Sequence, residues 1–230
     1  MLAVETDELK VTSMSWHSPD EGSVRLSGPI RSVLHIVPFS AAEPTYRIDL
    51  SGLHPGGRVW QALFSLGWMN FRPSFEGYLF VGGASPSGAS RYLQVFRNGA
   101  IEHVFTDESI EPPGANMRYV RMRVLEGSCR NALLAAIGSY RQLGVEPPVF
   151  VMYALCGVRG TVIDKPQHSM WQDGVLLPLN KDALVAQERL LESFDADVDA
   201  LLHPMFDEVW NASGWSGSPS WDSSHKWLGG

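Results

Sequence analysis

Apolar and polar positions alternate most regularly between Phe75 and Phe105. The stretches "FEGYLFVGG", "RYLQVF" and "AIEHVF" set apolar side chains two residues apart, the period of a strand with one face buried. They are joined by the small-residue segment "ASPSGAS" and by Asn98-Gly99, so the pattern predicts a three-stranded meander. Asn98-Gly99 suits a two-residue type I′ turn, in which both central residues take positive φ. That turn sets Val95 opposite Glu102 and Gln94 opposite His103. Glu102 and His103 are neighbours on one strand, so they project from opposite faces and are not expected to act as a dyad. His103 is expected to be satisfied by Gln94.

Upstream, "RSVLHIVPFS" predicts a strand that Pro38 ends, and "TYRIDL" a second, short one. Short strands are also expected near Leu9 to Ser13 and Ser23 to Leu26. The stretch "LHPGGRVWQALFSLGWMNFRPS" has no clean period and is expected to be a loop that packs aromatic anchors. Downstream, "MRYVRMRVL" reads as a strand with Val120, Met122 and Val124 on one face and Arg121 and Arg123 on the other. Ser128 is expected to cap a helix through "RNALLAAIGSYRQL", which aligns Leu133, Ile137 and Tyr140 and stops at Gly144.

"PPVFVMYALCGVRGTVI" predicts a long apolar strand in the middle of the sheet, broken at Gly157 and Gly160. "VLLPLNKDALVAQERLLESF" fits a short strand or a helix. Asp195-Ala196-Asp197 then leads into an amphipathic helix with Val198, Leu201, Leu202, Met205, Phe206, Val209 and Trp210 on one stripe. Pro204 inside it predicts a kink or the true first turn. The patterns together predict an α+β fold, a largely antiparallel sheet with an Asn-Gly hairpin packed by two main helices. Residues 1–28 form an irregular lead-in, 29–210 a single α+β domain, and 211–230 a tail rich in Gly, Ser and Trp.

Composition narrows the function classes. A chain of 230 residues that is 44% hydrophobic and 19% charged has the balance of a folded protein with a sizeable core. Its net charge of −7 disfavours non-specific attraction to nucleic acid or an anionic membrane. No run approaches the roughly 18 apolar residues of a membrane span, and "MLAVETDELK" lacks the basic start and apolar core of a secretion signal. Cys129 and Cys156 form no CxxC pair and are too few for a disulfide framework, so both are expected to be small buried residues. A cytoplasmic location follows from these readings.

Candidate chemistry is sparse. His35 lies mid-strand with Val33 and Val37, where a hydrogen-bonded core histidine is the commoner outcome than a ligand or base. His35 and His103 are the catalytic candidates, and they would flank a pocket if adjacent strands gave them the same facing. No HExxH, zinc-spaced Cys/His set or GxSxG is present. Asp195, Asp197 and Asp199 imitate a calcium loop, but Ala200 and Phe206 stand where it needs Gly and Glu, so a helix cap is expected. "VGGASPSGAS" lacks the lysine and following helix of a phosphate cradle.

No cofactor or metal is expected. Arg118, Arg121, Arg123 and Arg130 form a basic cluster suited to phosphate or nucleic-acid contact, against the plainer reading of a solvated face. Trp215, Trp221 and Trp227 mark the tail as one that docks on its own domain or on a partner.

Several blocks together resemble a known family. "VLHIVPFS", "IDLS", "GW" with "FEGYL", "YLQVFRNGAIEHV", and "LLESFDADVDALLHPMFDEVWNASGW" followed by "SPSWD" are similar to the C-terminal region of bacterial proteins that carry an N-terminal Schlafen-type, Alba-like DNA-binding domain. The resemblance runs from about Ser23 to Trp227 and carries no catalytic motif. The Schlafen-type domain itself has no counterpart, which implies an excised domain or a stand-alone relative whose nucleic-acid partner is another polypeptide.

The resemblance implies a non-catalytic sensor or protein-interaction domain working with a nucleic-acid-binding regulator, in bacterial stress or defence. It implies a protein partner that carries a Schlafen-type domain, indirect contact with nucleic acid and none with membrane. The alternatives are a nuclease or other phosphoryl hydrolase using His35 or His103, and direct nucleic-acid binding through the arginine cluster.

Overall fold

Strand β1 (Ile30–Pro38) runs between two long apolar neighbours and anchors the main sheet. The computed structural model describes residues 24–57, 59, 63, 66–67, 70–83, 85–107, 118–163 and 177–229. In chain order β1 is followed by β2 (Asn70–Pro73), β3 (Gly77–Gly82), β4 (Arg91–Phe96), β5 (Ile101–Asp107) and β6 (Arg118–Val120). Then come helix α1 (Met122–Leu143), β7 (Val149–Cys156), β8 (Thr161–Ile163), β9 (Ala183–Val185), β10 (Arg189–Leu191) and helix α2 (Val198–Asn211).

The large sheet has the order β10-β7-β1-β5-β4-β3-β2, every pair antiparallel, and β9 also pairs with β7. Strands β6 and β8 form a separate parallel pair. Among the described residues the fold is α+β, a mostly antiparallel sheet packed by two main helices, as the patterns predict. Strand β7 has partners on both edges, which suits its unbroken apolar run. It ends at Gly157, whose φ is +74° and where a Cβ would sit 2.1 Å from the Pro29 carbonyl oxygen, so only glycine fits.

The meander is β3, β4 and β5, but its hairpin differs from expectation. Gly99 N–H donates to Phe96 O at 3.0 Å and Phe96 N–H to Ala100 O at 2.8 Å, closing a three-residue loop. Gly99 alone takes positive φ, at +84°, and Asn98 does not. This is a turn with a glycine bulge, not type I′. The Asn98 carboxamide accepts from Ala100 N–H at 3.2 Å, an interaction that favours the bulged form. The extra loop residue shifts every opposed pair by one: Gln94 faces Glu102 and Leu93 faces His103.

Other elements also depart from the sequence pattern. The strand expected over "MRYVRMRVL" ends at Val120, and α1 begins at Met122, so Ser128 lies inside the helix and does not cap it. Burial at Met122, Leu125, Glu126, Cys129, Ala132, Leu133, Ala136, Ile137 and Tyr140 shows a helical period that extends back through this stretch. Val124, placed inward by the strand reading, is exposed. Gly144 ends the helix in the left-handed conformation, as expected.

"NFRP" is a strand where a loop was expected, "TYRIDL" forms none, and the ambiguous segment before α2 holds the short strands β9 and β10. Leu26 makes a single bridge to Ala89, and the short strand expected near Leu9 lies outside the described residues.

Helix α1 covers one face of the sheet over β1 and β5. Tyr140 fixes that contact, its hydroxyl donating to Ile36 O at 3.0 Å and Gly99 O at 2.8 Å. The core contains Ile30, Leu34, Ile36, Val151 and Tyr153 from the sheet and Leu125, Leu133 and Ile137 from α1. Each fully buried Leu or Ile contributes about 1.5–3 kcal/mol. Asp197 caps α2 by accepting from Asp199 N and Ala200 N, and Pro204 lies within that helix.

Candidate functional site

The two histidines singled out by sequence lie on adjacent strands but on opposite faces. Strand β1 sets Leu34 opposite His103 and His35 opposite Glu102. They therefore do not flank one pocket.

His35 is a hydrogen-bonded histidine, and its partner is a carboxylate that spacing alone does not place beside it. Its Nε2 lies 2.6 Å from Glu102 Oε2, and Tyr92 donates its hydroxyl to Glu102 Oε1 at 2.7 Å. Both members of the pair are mostly buried, with side-chain exposures of 12% and 17%. Burial, and then the Glu102 charge and hydrogen bond, push the Tyr92 phenol far above its ordinary range, so it remains a donor. One carboxylate thus holds an imidazole and a phenol across β1, β5 and β4. Sequence spacing could not supply this partner, because the contact depends on β1 lying beside β5. The available signal was one unexplained Glu and one unexplained His, each flanked by apolar residues on its strand face.

His103 faces the helix and lines a cleft of about 840 Å3. The sheet side is formed by His103, Phe105 and Arg91, with Leu66 at one edge. Helix α1 supplies Val124, Ser128, Asn131, Ala135 and Gly138, spaced four, three, four and three residues apart along one stripe, with Leu134 beside them. Small residues on that stripe leave room between helix and sheet. Arg91 Nη2 donates to Gly67 O at 2.9 Å, which fixes the guanidinium near Leu66. His103 is 2% exposed, and burial together with the Arg91 charge pushes its imidazole down to about 3, so it is neutral at neutral pH. Gln94, its expected partner, bonds to Ser74 instead.

The arginine cluster is largely taken up by the fold. Arg130 makes a bidentate pair with Asp199 at 2.5 and 3.1 Å, and Arg123 Nη2 donates to Gly229 O at 2.7 Å. Arg118 lies on β6 and Arg121 immediately precedes α1. The aspartates before α2 are likewise accounted for: Asp195 pairs with Arg141, Asp197 caps and Asp199 holds Arg130. Among the described residues no group of three or more His, Cys, Asp or Glu side chains is placed to hold a metal ion.

The tryptophan tail docks on its own domain. Trp221 is 4% exposed and stacks on His203 and Phe206 of α2, while Trp227 meets it edge-on at 4.6 Å and Trp215 meets Trp210. His203 Nδ1 lies 2.7 Å from His225 Nδ1, and its Nε2 lies 3.3 Å from Asp207 Oδ1. Glu126 ties the tail to α1: its fully buried carboxylate accepts from Trp210 Nε1 at 2.6 Å, from the Ser218 hydroxyl at 2.8 Å and from the Ser220 hydroxyl.

Cys129 is buried and 3.2 Å from the Ser32 hydroxyl, and burial pushes its thiol up to about 12. Cys156 is only partly buried, with its thiol raised by burial to about 11, so neither is a ready thiolate.

No helix among the described residues is long and apolar enough to cross a membrane. Comparison with protein-family models, with curated proteins and with solved structures finds no match.

Proposed function

We propose that this chain is a non-catalytic sensor or interaction domain that takes a small molecule into the cleft between α1 and the β4–β5 hairpin and works with a nucleic-acid-binding regulator. The cleft carries the reading. Its volume lies within the range of small-molecule sites, and it combines apolar walls with a few polar groups, the usual composition of such sites. The regulator, a protein with a Schlafen-type domain acting in bacterial stress or defence, is supported by the sequence blocks that resemble that family.

Ligand-observed NMR with a fragment library, using the wild type and Ala135→Leu, tests the proposal. Binders that lose their signal when Leu fills the cleft, and that mass spectrometry recovers chemically unchanged, are the expected result. Turnover of a bound compound would overturn the non-catalytic reading.

A hydrolase using His35 is the second reading, favoured by the Glu102 bond, since a carboxylate that orients an imidazole prepares it for general-base work. It predicts phosphodiesterase or phosphomonoesterase activity that His35→Gln abolishes. Activity unchanged in His35→Gln removes it.

A further inference from the structure

A pair of histidines lies apart from the His35 cluster, and neither is among the described residues that line the cleft. His203 on α2 and His225 in the C-terminal tail bring their Nδ1 atoms to 2.7 Å from each other. Two ring nitrogens this close share one proton, one donating and the other accepting. Once that proton has moved to the far nitrogen of its ring, both Nδ1 lone pairs are open to a metal ion.

Each ring is held in place before any ion arrives. His203 lies flat on Trp221, with centroids 5.4 Å apart and 14° between the planes, and its Nε2 faces Asp207 Oδ1 at 3.3 Å. A ligating histidine commonly gives its other ring N–H to a carboxylate, which fixes the tautomer and leaves the first nitrogen as the donor atom. Asp207 is so placed for His203, and it is itself held by Ser218 N–H at 2.7 Å.

His225 is presented by a tight turn. Asp222 Oδ1 accepts from Ser224 N–H, the Ser224 hydroxyl and Lys226 N–H at 2.9, 2.6 and 3.0 Å, and Trp221 bridges to Trp227 at the base of the turn. Within it His225 has a φ of +62°, the single positive value outside glycine among the described residues. Such a backbone is costly for a residue with a Cβ, and the turn maintains it with the ring against His203.

The separation of the nitrogens selects the kind of ion. With metal–nitrogen bonds of about 2.0 Å, ligands at a right angle stand about 2.8 Å apart and tetrahedral ligands about 3.3 Å. The observed 2.7 Å fits the right angle. Square or tetragonal nitrogen sites suit copper(II) and nickel(II), and copper(II) is the divalent first-row ion such donors bind most tightly.

We infer that His203 and His225 form a copper(II) site, their Nδ1 atoms as adjacent ligands, water in the remaining positions and Asp207 as the outer carboxylate. The ion replaces the shared proton, which passes to Nε2 of the exposed His225, and it fastens the C-terminal tail to α2.

Isothermal titration of the untagged chain with copper(II) chloride in a non-coordinating buffer tests this, with electron paramagnetic resonance on the loaded protein and circular dichroism to confirm the fold of each variant. The expected result is saturable uptake of one equivalent and an axial signal with two equatorial imidazole nitrogens. His225→Gln, at an exposed position, removes that equivalent. Asp207→Asn, which keeps an acceptor for His203 and Ser218, weakens uptake about tenfold and leaves the two-nitrogen signal in place.

Copper that binds the wild type and His225→Gln alike lies elsewhere and overturns the site. A loaded protein with one imidazole nitrogen or none overturns it as well. Absence of uptake overturns it too and leaves the pair as a shared-proton contact. Unchanged affinity in Asp207→Asn overturns the outer role of that carboxylate.

Discussion

His35 and Glu102 meet across the β1–β5 pair, Nε2 to Oε2 at 2.6 Å, on a sheet face whose neighbouring positions include Val33, Val37 and Met152. The Tyr92 hydroxyl also donates to this carboxylate, at 2.7 Å. A carboxylate so placed is tolerated because it is hydrogen-bonded, and it fixes register: a slip of one residue would set His35 against Ile101 or His103 and separate it from Glu102.

Breaking this pair from one side should therefore cost more than replacing it. Glu102→Leu alone is expected to destabilise the fold by about 2–4 kcal/mol, since it leaves His35 and the Tyr92 hydroxyl in a largely buried site without their acceptor. The double variant His35→Leu/Glu102→Leu should recover at least half of that loss. Urea unfolding at constant m-value measures it. Strictly additive single effects would show that the two side chains are not coupled.

How much of this was legible in sequence depended on range. The meander, β1, β7 and both amphipathic helices were legible because period-2 and period-3.6 patterns are local. The Tyr92–Glu102–His35 cluster was not, because it requires knowing that β1 pairs with β5, more than sixty residues later in the chain. The start of α1 failed for a different reason: Val120, Met122 and Val124 alternate like a strand, while Met122, Leu125, Glu126 and Cys129 fit a helix equally well, and tertiary burial decides. The cleft lay beyond reach for a third, since its walls come from β4, β5 and alternate turns of α1.

Stability should fall in acid because of His103. Its imidazole drops from an ordinary 6.5 to about 3 through burial and the Arg91 charge. Between those values the unfolded chain binds a proton that the folded chain does not, so stability is full above about pH 6.5 and is lost as pH falls toward 3. At about 1.4 kcal/mol per unit, the loss is on the order of 5 kcal/mol over the whole window. His103→Gln should flatten the dependence of melting temperature on pH between 4 and 7. An unchanged slope would show that another group dominates acid unfolding.

The tail should depend on Glu126. Burial raises its carboxyl, opposed by the bonds from Ser220, Trp210 and Ser218, so the folded chain holds this proton more tightly than the unfolded one. The resulting stabilisation is greatest at low pH and is lost as pH rises through the folded value. Glu126→Gln keeps an acceptor and avoids the buried charge, so it should cost about 1 kcal/mol or less at neutral pH. Glu126→Ala leaves three donors unsatisfied and should cost about 3 kcal/mol, with the tail cut first in limited proteolysis and tryptophan emission shifted to the red. Equal costs for Gln and Ala would assign Glu126 a packing role in place of a hydrogen-bonding one.

The bulged hairpin makes a prediction that a type I′ turn does not. In a type I′ turn both Asn98 and Gly99 need positive φ, so Asn98→Ala would strain the backbone as much as Gly99→Ala. In the observed loop Gly99 alone is left-handed, at +84°. Gly99→Ala should then cost about 1–2 kcal/mol through the penalty for a Cβ in that conformation. Asn98→Ala should cost about half as much, losing the side-chain bond to Ala100 N–H without backbone strain. Equal losses in urea unfolding would favour the two-residue turn. That register would set Val95, not Gln94, opposite Glu102, so the two measurements also decide how the Glu102 face of the sheet is built.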